Sequence, residues 1–469
     1  MVFSSVTFLC IFFPIVFLLH AVLPNGKARN AVLILASILF YAYGEPVYVI
    51  LLIVSVIFNY LFGLGVAGAH RKGVLTVAVI VNIGLLFVFK YAGFFVTSLN
   101  SVLPAKSALP VPKLSLPIGI SFYTFQALSY VIDVYRGKAE VQRNFFRLLL
   151  YVSFFPQLIA GPIVKYHDIE NEIRTRNATV DDIFSGLTRF SIGLGKKVLI
   201  ANTMAYVADA VFAMPKSYIG LLASWVAAIA YLMQIYFDFS GYSDMAIGLG
   251  RMFGFHFQEN FNYPYIADSI REFWRRWHIS LSTWFRDYLY IPLGGNRKGK
   301  ARTILNKYIV FFCTGFWHGA NWTFLVWGLF HGTLQMAEEK EWIPVHRGWK
   351  VFNHIYALLM VTIGFVVFRA DTLSQAGSMI AAMFGFGAGT GFGMVKTAAI
   401  LSPYVIVVML CAAVGCTPLP RKMALRLQEK SSGRALGEYA SMALSLAILV
   451  LALMALAAES YNPFIYFRF

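Results

Sequence analysis

Three short segments hold the side chains that could do chemistry in this chain. The first, 236–250, reads Tyr-Phe-Asp-Phe-Ser-Gly-Tyr-Ser-Asp-Met-Ala-Ile-Gly-Leu-Gly and sets two carboxylates, Asp238 and Asp244, directly after an apolar run. A carboxylate at membrane depth is costly, so it must face a cavity or a cationic partner, and both fit here. The second, 271–295, is aromatic and basic. Trp274, His278, Leu281 and Phe285 recur at the spacing of one helix face, with Arg275, Arg276 and Arg286 nearer the other sides. Such a helix lies in the lipid headgroups or carries a site, and His278 on its aromatic side is by itself better explained as a satisfied core histidine than as a catalyst. The third, 313–332, is apolar apart from Thr314, His318, Asn321, Thr323 and His331. His318 and Asn321 are neighbours on a helix, whereas His318 and His331 fall about 220° apart around one. A neutral imidazole in such a setting can act as a general base, because its pKa lies near working pH. None of the three histidines has a second ligand at i+4, so no metal is expected, and the Gly-Lys-Ser/Thr of a P-loop and the nucleophile elbow are absent.

The elements that must position these residues are membrane helices. Of 469 residues, 59% are hydrophobic and only 13% are charged, which excludes disorder and a typical soluble enzyme. Apolar stretches long enough to span a bilayer recur at 6–23, 30–43, 46–66, 74–99, 116–135, 145–164, 183–201, 219–237, 305–333, 351–369, 398–416 and 437–458. The expected architecture is all-α and polytopic, with 10–12 spans and re-entrant or interfacial helices, in one domain covering 1–469. The stretch 116–135 carries Ser121, Thr124, Gln126 and Asp133, so it should pack inside protein. The Gly-rich stretch 377–393 reads as a loop. The four cysteines lie in or beside apolar runs and read as thiols. The net charge of +17 sits in short basic loops and is densest at 251–307, which removes nucleic acid as a partner and reports topology. Met1 to Leu23 is uncharged and is followed by Lys27 and Arg29, which reads as a retained first span with its N-terminus outside.

Taken together, these segments resemble the membrane-bound O-acyltransferase (MBOAT) family, and within it the bacterial branch that acetylates polysaccharides such as alginate or cellulose. The resemblance rests on the start Met1-Val2-Phe3-Ser4-Ser5, on Asp238 to Asp244, on Phe273 to Ser282, on Trp317-His318-Gly319, on Phe368-Arg369-Ala370, and on the tail Tyr461 to Phe467, with the core motifs inside 236–332. It implies a helical bundle around a central tunnel. It also implies that His318 is the invariant histidine and His278 the second site residue, meeting near the tunnel's middle, with His331 near the motif but outside it.

The implied reaction is acetyl transfer from acetyl-CoA, with no bound cofactor. His318 would take the proton from an acceptor hydroxyl, and His278 would orient the thioester or hold the oxyanion, provided it keeps a donor N–H. Asn321, Trp317, Trp274 and Asp238 are candidate substrate contacts. Arg271, Arg275, Arg276 and Lys298 could attract the CoA phosphates, although positive-inside sorting is the better account of them. The resemblance further implies a bacterial inner-membrane location, partner proteins with SGNH-type esterase folds and a polysaccharide biosynthesis complex. D-alanyl transfer to teichoic acid and a non-enzymatic polysaccharide or lipid transporter are the alternatives.

Overall fold

The computed structural model describes residues 1–345, 349–387, 389–430, 434–458 and 461–465. Its elements are helices throughout the described residues, joined by short loops. Five of these helices are long and apolar enough to cross a membrane: Tyr48–Gly65, Arg71–Asn100, Leu221–Met252, Lys350–Arg369 and Tyr439–Ala458. The bent pair Gly391–Ile400 and Pro403–Gly415 makes a sixth if it is counted as one span. Other expected spans are broken. The stretch 145–164 becomes the helix Phe145–Ser153, a single turn at Phe155–Leu158 and an irregular end. The Gly-rich stretch is helical over Leu373–Met383 and again from Gly391, so only a short link between those helices has loop character.

The chain forms two compact units, Met1–Phe190 with Met245–Gln258, and Ser191–Asp244 with Glu259–Phe469. In the first unit, Ile120–Arg136 is buried at nearly every position from Ile120 to Val134, as its polar content requires. Tyr151 and Tyr130 both pack edge-on against Tyr166, and the buried amides of Asn59 and Asn82 bond to each other at 2.9 and 3.1 Å. Pairing these amides is what lets them sit in an apolar bundle.

The second unit contains all three histidines of interest. The apolar stretch 305–333 is a hairpin rather than one span. Lys300–His318 ends at the extended Gly319, and Trp322–Glu339 returns alongside it. The two helices touch through glycine. A Cβ on Gly315 would run into the Phe324 carbonyl, and one on Gly328 would lie 3.1 Å from the Gly315 Cα. No side chain larger than hydrogen fits either place without separating the helices.

Gly328→Val should therefore lower the thermal midpoint of the protein in detergent, at a cost of about 1–3 kcal/mol or more for the overpacked contact. Gly377→Ala, whose Cβ would meet nothing within 4 Å in an exposed helix interior, should hold that midpoint or raise it slightly.

Candidate active site

The segment expected to be one amphipathic helix is broken at the histidine it carries. Ile270–Arg276 ends before Trp277, and Ile279–Phe285 begins after His278, which has φ +45° and ψ +54°. A left-handed non-glycine residue costs of order 1–3 kcal/mol and persists only when its surroundings hold it. Here the preceding loop does so. Asn262 N–H donates to the Arg276 carbonyl at 2.9 Å, and Ile279 N–H donates to the Asn260 carbonyl at 3.0 Å. The Asn260 side-chain Oδ1 takes Ser280 N–H at 3.2 Å and Ser280 Oγ–H at 2.9 Å, so it caps the second helix from outside. The same Oδ1 lies 3.2 Å from His278 Nδ1, and Asn260 Nδ2 donates to Ser243 Oγ at 3.1 Å.

The break turns the His278 ring into an aromatic box. The ring is fully buried, with Phe239 at 4.6 Å, Trp317 at 5.9 Å and His318 at 6.4 Å between ring centroids. His318 closes its helix and packs edge-on against Trp317, Trp327 and Phe368 at 5.0–5.3 Å. Ile235, Phe239, Trp277, Phe365, Phe368 and Ile465 join Trp327 and His318 around a crevice of about 10 Å³, no more than one water's worth of space. Trp274, 5.6 Å from the Trp327 ring, lines a larger cavity of about 250 Å³. The polar lining of that cavity includes Ser282, Arg286, Lys307, Thr314 and Gln335.

This chain matches the model of the membrane-bound O-acyltransferase family over residues 139–344. It is 41% identical to a probable alginate O-acetylase AlgI of Azotobacter vinelandii over the full length of both chains. It is 46% identical to a probable alginate O-acetylase AlgI of Pseudomonas aeruginosa, over 82% of this chain and 75% of that one. The peptidoglycan O-acetyltransferase of Helicobacter pylori is 37% identical, over 82% and 80%. The chain belongs to the membrane-bound O-acyltransferase family. It is a membrane protein and an acyltransferase.

Within this acyltransferase the structure sorts the residues singled out from the sequence. His278, His318 and Trp317 meet in one box, and Trp274 lines the adjacent cavity. Asn321 is not on a helix with His318. It is the N-cap of the returning helix, accepting Thr323 N–H at 3.2 Å and donating to the Asp371 carbonyl at 3.0 Å. His331, expected to face away from His318, is carried back by the hairpin, so that both rings pack against Trp327, at 5.2 and 5.3 Å. Arg271 and Arg275 are exposed, Arg276 bonds Glu272 at 2.6 Å, and Lys298 is exposed, and none of the four lines the 250 Å³ cavity. The cations that do line it are Arg286 and Lys307, which the sequence pattern did not distinguish from the other basic residues.

Asp238 has a structural explanation. It is 1% exposed and pairs at 2.9 Å with Lys197, itself 3% exposed. Its other oxygen accepts the Ile465 N–H at 2.8 Å, and Lys197 donates to the Pro463 carbonyl. The Phe464 ring stacks on Tyr242 at 4.9 Å. The buried pair thus pins the C-terminal segment in place, and Ile465 from that segment walls the His318 crevice. Tyr466 and Phe467 of the tail motif lie outside the described residues. Asp244 pairs at 2.6 Å with Lys196.

Removing one partner of a buried pair leaves an uncompensated charge at a cost of about 3–5 kcal/mol. Lys197→Met or Asp238→Leu alone should each sharply reduce folded protein recovered in detergent, while the double variant should recover most of it. Equal loss in all three would contradict the pairing.

Proposed function

We propose that this acyltransferase moves acetyl groups from acetyl-CoA to hydroxyls that end on an exopolysaccharide, with His278 and His318 as the reacting pair. The observation that supports it is the meeting of two imidazoles, from two separately broken helices, in one aromatic box with a crevice beside His318. Attack of a hydroxyl on a thioester needs one lone pair to take the hydroxyl proton. It also needs one N–H to hold the carbonyl oxygen as it gains negative charge. Two adjacent neutral imidazoles supply both. The ring wall excludes water, which would otherwise hydrolyse the thioester.

The 250 Å³ cavity suits the donor. Its apolar walls fit an extended thioester arm, and Arg286 and Lys307 offer positive charge for phosphate groups. The Trp274–Trp327 contact then lies between the donor arm and His318, so these rings must part or be skirted for transfer. By this reading the cavity opens to the cytoplasm, the chain sits in a bacterial inner membrane with its N-terminus periplasmic, and the acetyl group passes to a partner with an SGNH-type esterase fold within a polysaccharide assembly. The relatives named for alginate and for peptidoglycan acetylation support a surface glycan as the final acceptor. Mass spectrometry of the surface polymer from a deletion strain identifies which.

In proteoliposomes carrying labelled acetyl-CoA, His318→Ala should keep the fold and lose about 10²–10⁴-fold in transfer. Undiminished transfer by a folded His318→Ala protein would sink the assignment. Arg286→Ala with Lys307→Ala should raise the KM for acetyl-CoA several-fold with little change in kcat, as expected for binding that is equal in ground and transition states.

A further inference from the structure

We infer that a cleft lined by Arg29, Arg174 and Arg176 is a binding site for a phosphate group, carried by the headgroup of an acidic membrane lipid. The site lies wholly in the first unit and does not depend on the acyl-transfer reading.

The cleft has a volume of about 490 Å³ and is lined by Gly26, Arg29 and the run Arg174-Thr175-Arg176-Asn177. These residues come from two places, the first turn of Gly26–Gly44 and the end of Tyr166–Arg174 with the link that follows it. Asn30 ties the two together. Its Nδ2 donates to the Ile173 carbonyl at 3.1 Å, and its Oδ1 accepts from Arg176 Nη1 at 2.6 Å. Arg176 Nε also donates to the Phe253 carbonyl at 2.9 Å, and its guanidinium lies over the Phe255 ring at 4.3 Å. Arg29 Nε donates to the Leu23 carbonyl at 2.9 Å. Both cations are held in place by neutral groups, which lowers the ordering cost of binding an anion.

The protein does not neutralise this charge itself. Arg174 pairs with Glu140 at 2.7 Å and with Glu170 at 3.7 Å, and His256 holds Glu172 at 2.9 Å. Neither Arg29 nor Arg176 has an ion pair among the described residues. Arg176 Nη2 is buried without a hydrogen-bond partner. Burial, with the Arg29 charge beside it, pushes the Arg176 pKa down to about 10, as happens to a cation short of counter-charge. Backbone groups add to the pull. Asn25 takes the N–H groups of Ala28 and Arg29 at 2.8 and 3.1 Å, which leaves those of Gly26 and Lys27 at the positive end of a 19-residue helix. A Cβ on Gly26 would meet nothing within 4 Å, so the approach to that end is open.

The placement favours a lipid as the source of the phosphate. Phe13–Val22 leads into Gly26–Gly44 through the short link that Arg29 bonds, and both helices carry exposed large apolar side chains, among them Leu18, Val22, Leu35 and Leu39. Lys27 and Arg29 stand between those apolar runs, so the cleft lies at the level where hydrocarbon gives way to headgroups. A phosphodiester there meets the arginines while its acyl chains follow the apolar helix faces. Arginine suits this role because its planar fork can bond two phosphate oxygens at once.

The test is the thermal midpoint of the full chain in detergent micelles, titrated with phosphatidylglycerol, with phosphatidylcholine, whose choline cation offsets its phosphate, or with inorganic phosphate. Phosphatidylglycerol should raise the midpoint saturably, and the other two should not. Arg29→Gln and Arg174→Gln should each raise the phosphatidylglycerol concentration needed for half the shift by about fivefold, and together by about 25-fold, as expected for one near-surface cation each. Arg176 is left intact because it also holds Phe253 and Asn30. Lys72→Gln removes the same charge from an exposed position outside the cleft and should leave the titration unchanged. An equal shift with phosphatidylcholine, or a double variant that titrates like the wild type, overturns the site. An equal shift with inorganic phosphate overturns its assignment to a lipid. If the double variant does not fold, the two single variants decide in the same way.

Discussion

One amide holds the arrangement of the His278–His318 box in this acyltransferase. A helix broken inside an apolar bundle leaves N–H groups that water cannot reach, and each costs free energy unless protein satisfies it. Asn260 satisfies Ile279 with its carbonyl and Ser280 with its side chain, and with the same side-chain oxygen holds His278. The left-handed strain at His278 is therefore tolerated because a neighbouring loop supplies what the helix gave up. The gain is direction, since a continuous helix would have put His278 on a face with Trp274 rather than beside His318.

The rest of the second unit serves the same end by different means. Gly315 and Gly328 let the two hairpin helices meet closely enough that His318 and Trp327 share a wall. The Lys197–Asp238 pair, buried and costly alone, becomes tolerable because each partner also takes a backbone group of the C-terminal segment. That segment then supplies Ile465 to the crevice. The partners of His278 and of the Lys197–Asp238 pair thus include backbone or side-chain groups at a helix break or chain end, where spare backbone groups must be satisfied in any case.

Much of this was legible in the residues. The apolar content and its spacing required a helical membrane protein, and the polar side chains of 116–135 required a packed helix, which Ile120–Arg136 is. His318 and His278 stood out as polar groups in aromatic, apolar surroundings. What the pattern hid were the breaks. Periodicity treats 271–285 and 313–332 as continuous, and nothing local to either segment announces that Asn260 will cap one of them or that Gly319 will end a helix in the other. Asn321 and His331 were misjudged for that reason, since their neighbours change once the chain turns back. Lys197 and Ile465 were invisible because their importance comes from partners 41 and 227 residues away.

On the proposed reading, His278 and His318 act on one reacting group as a unit. The direct measure is acetyl transfer from labelled acetyl-CoA in proteoliposomes by the wild type, His278→Ala, His318→Ala and the double variant, each checked for folding. Residues that work as a unit are non-additive, so the double variant should lose about as much as the more damaged single one. Losses that multiply, or a double variant that still transfers acetyl at the wild-type rate, would contradict the account.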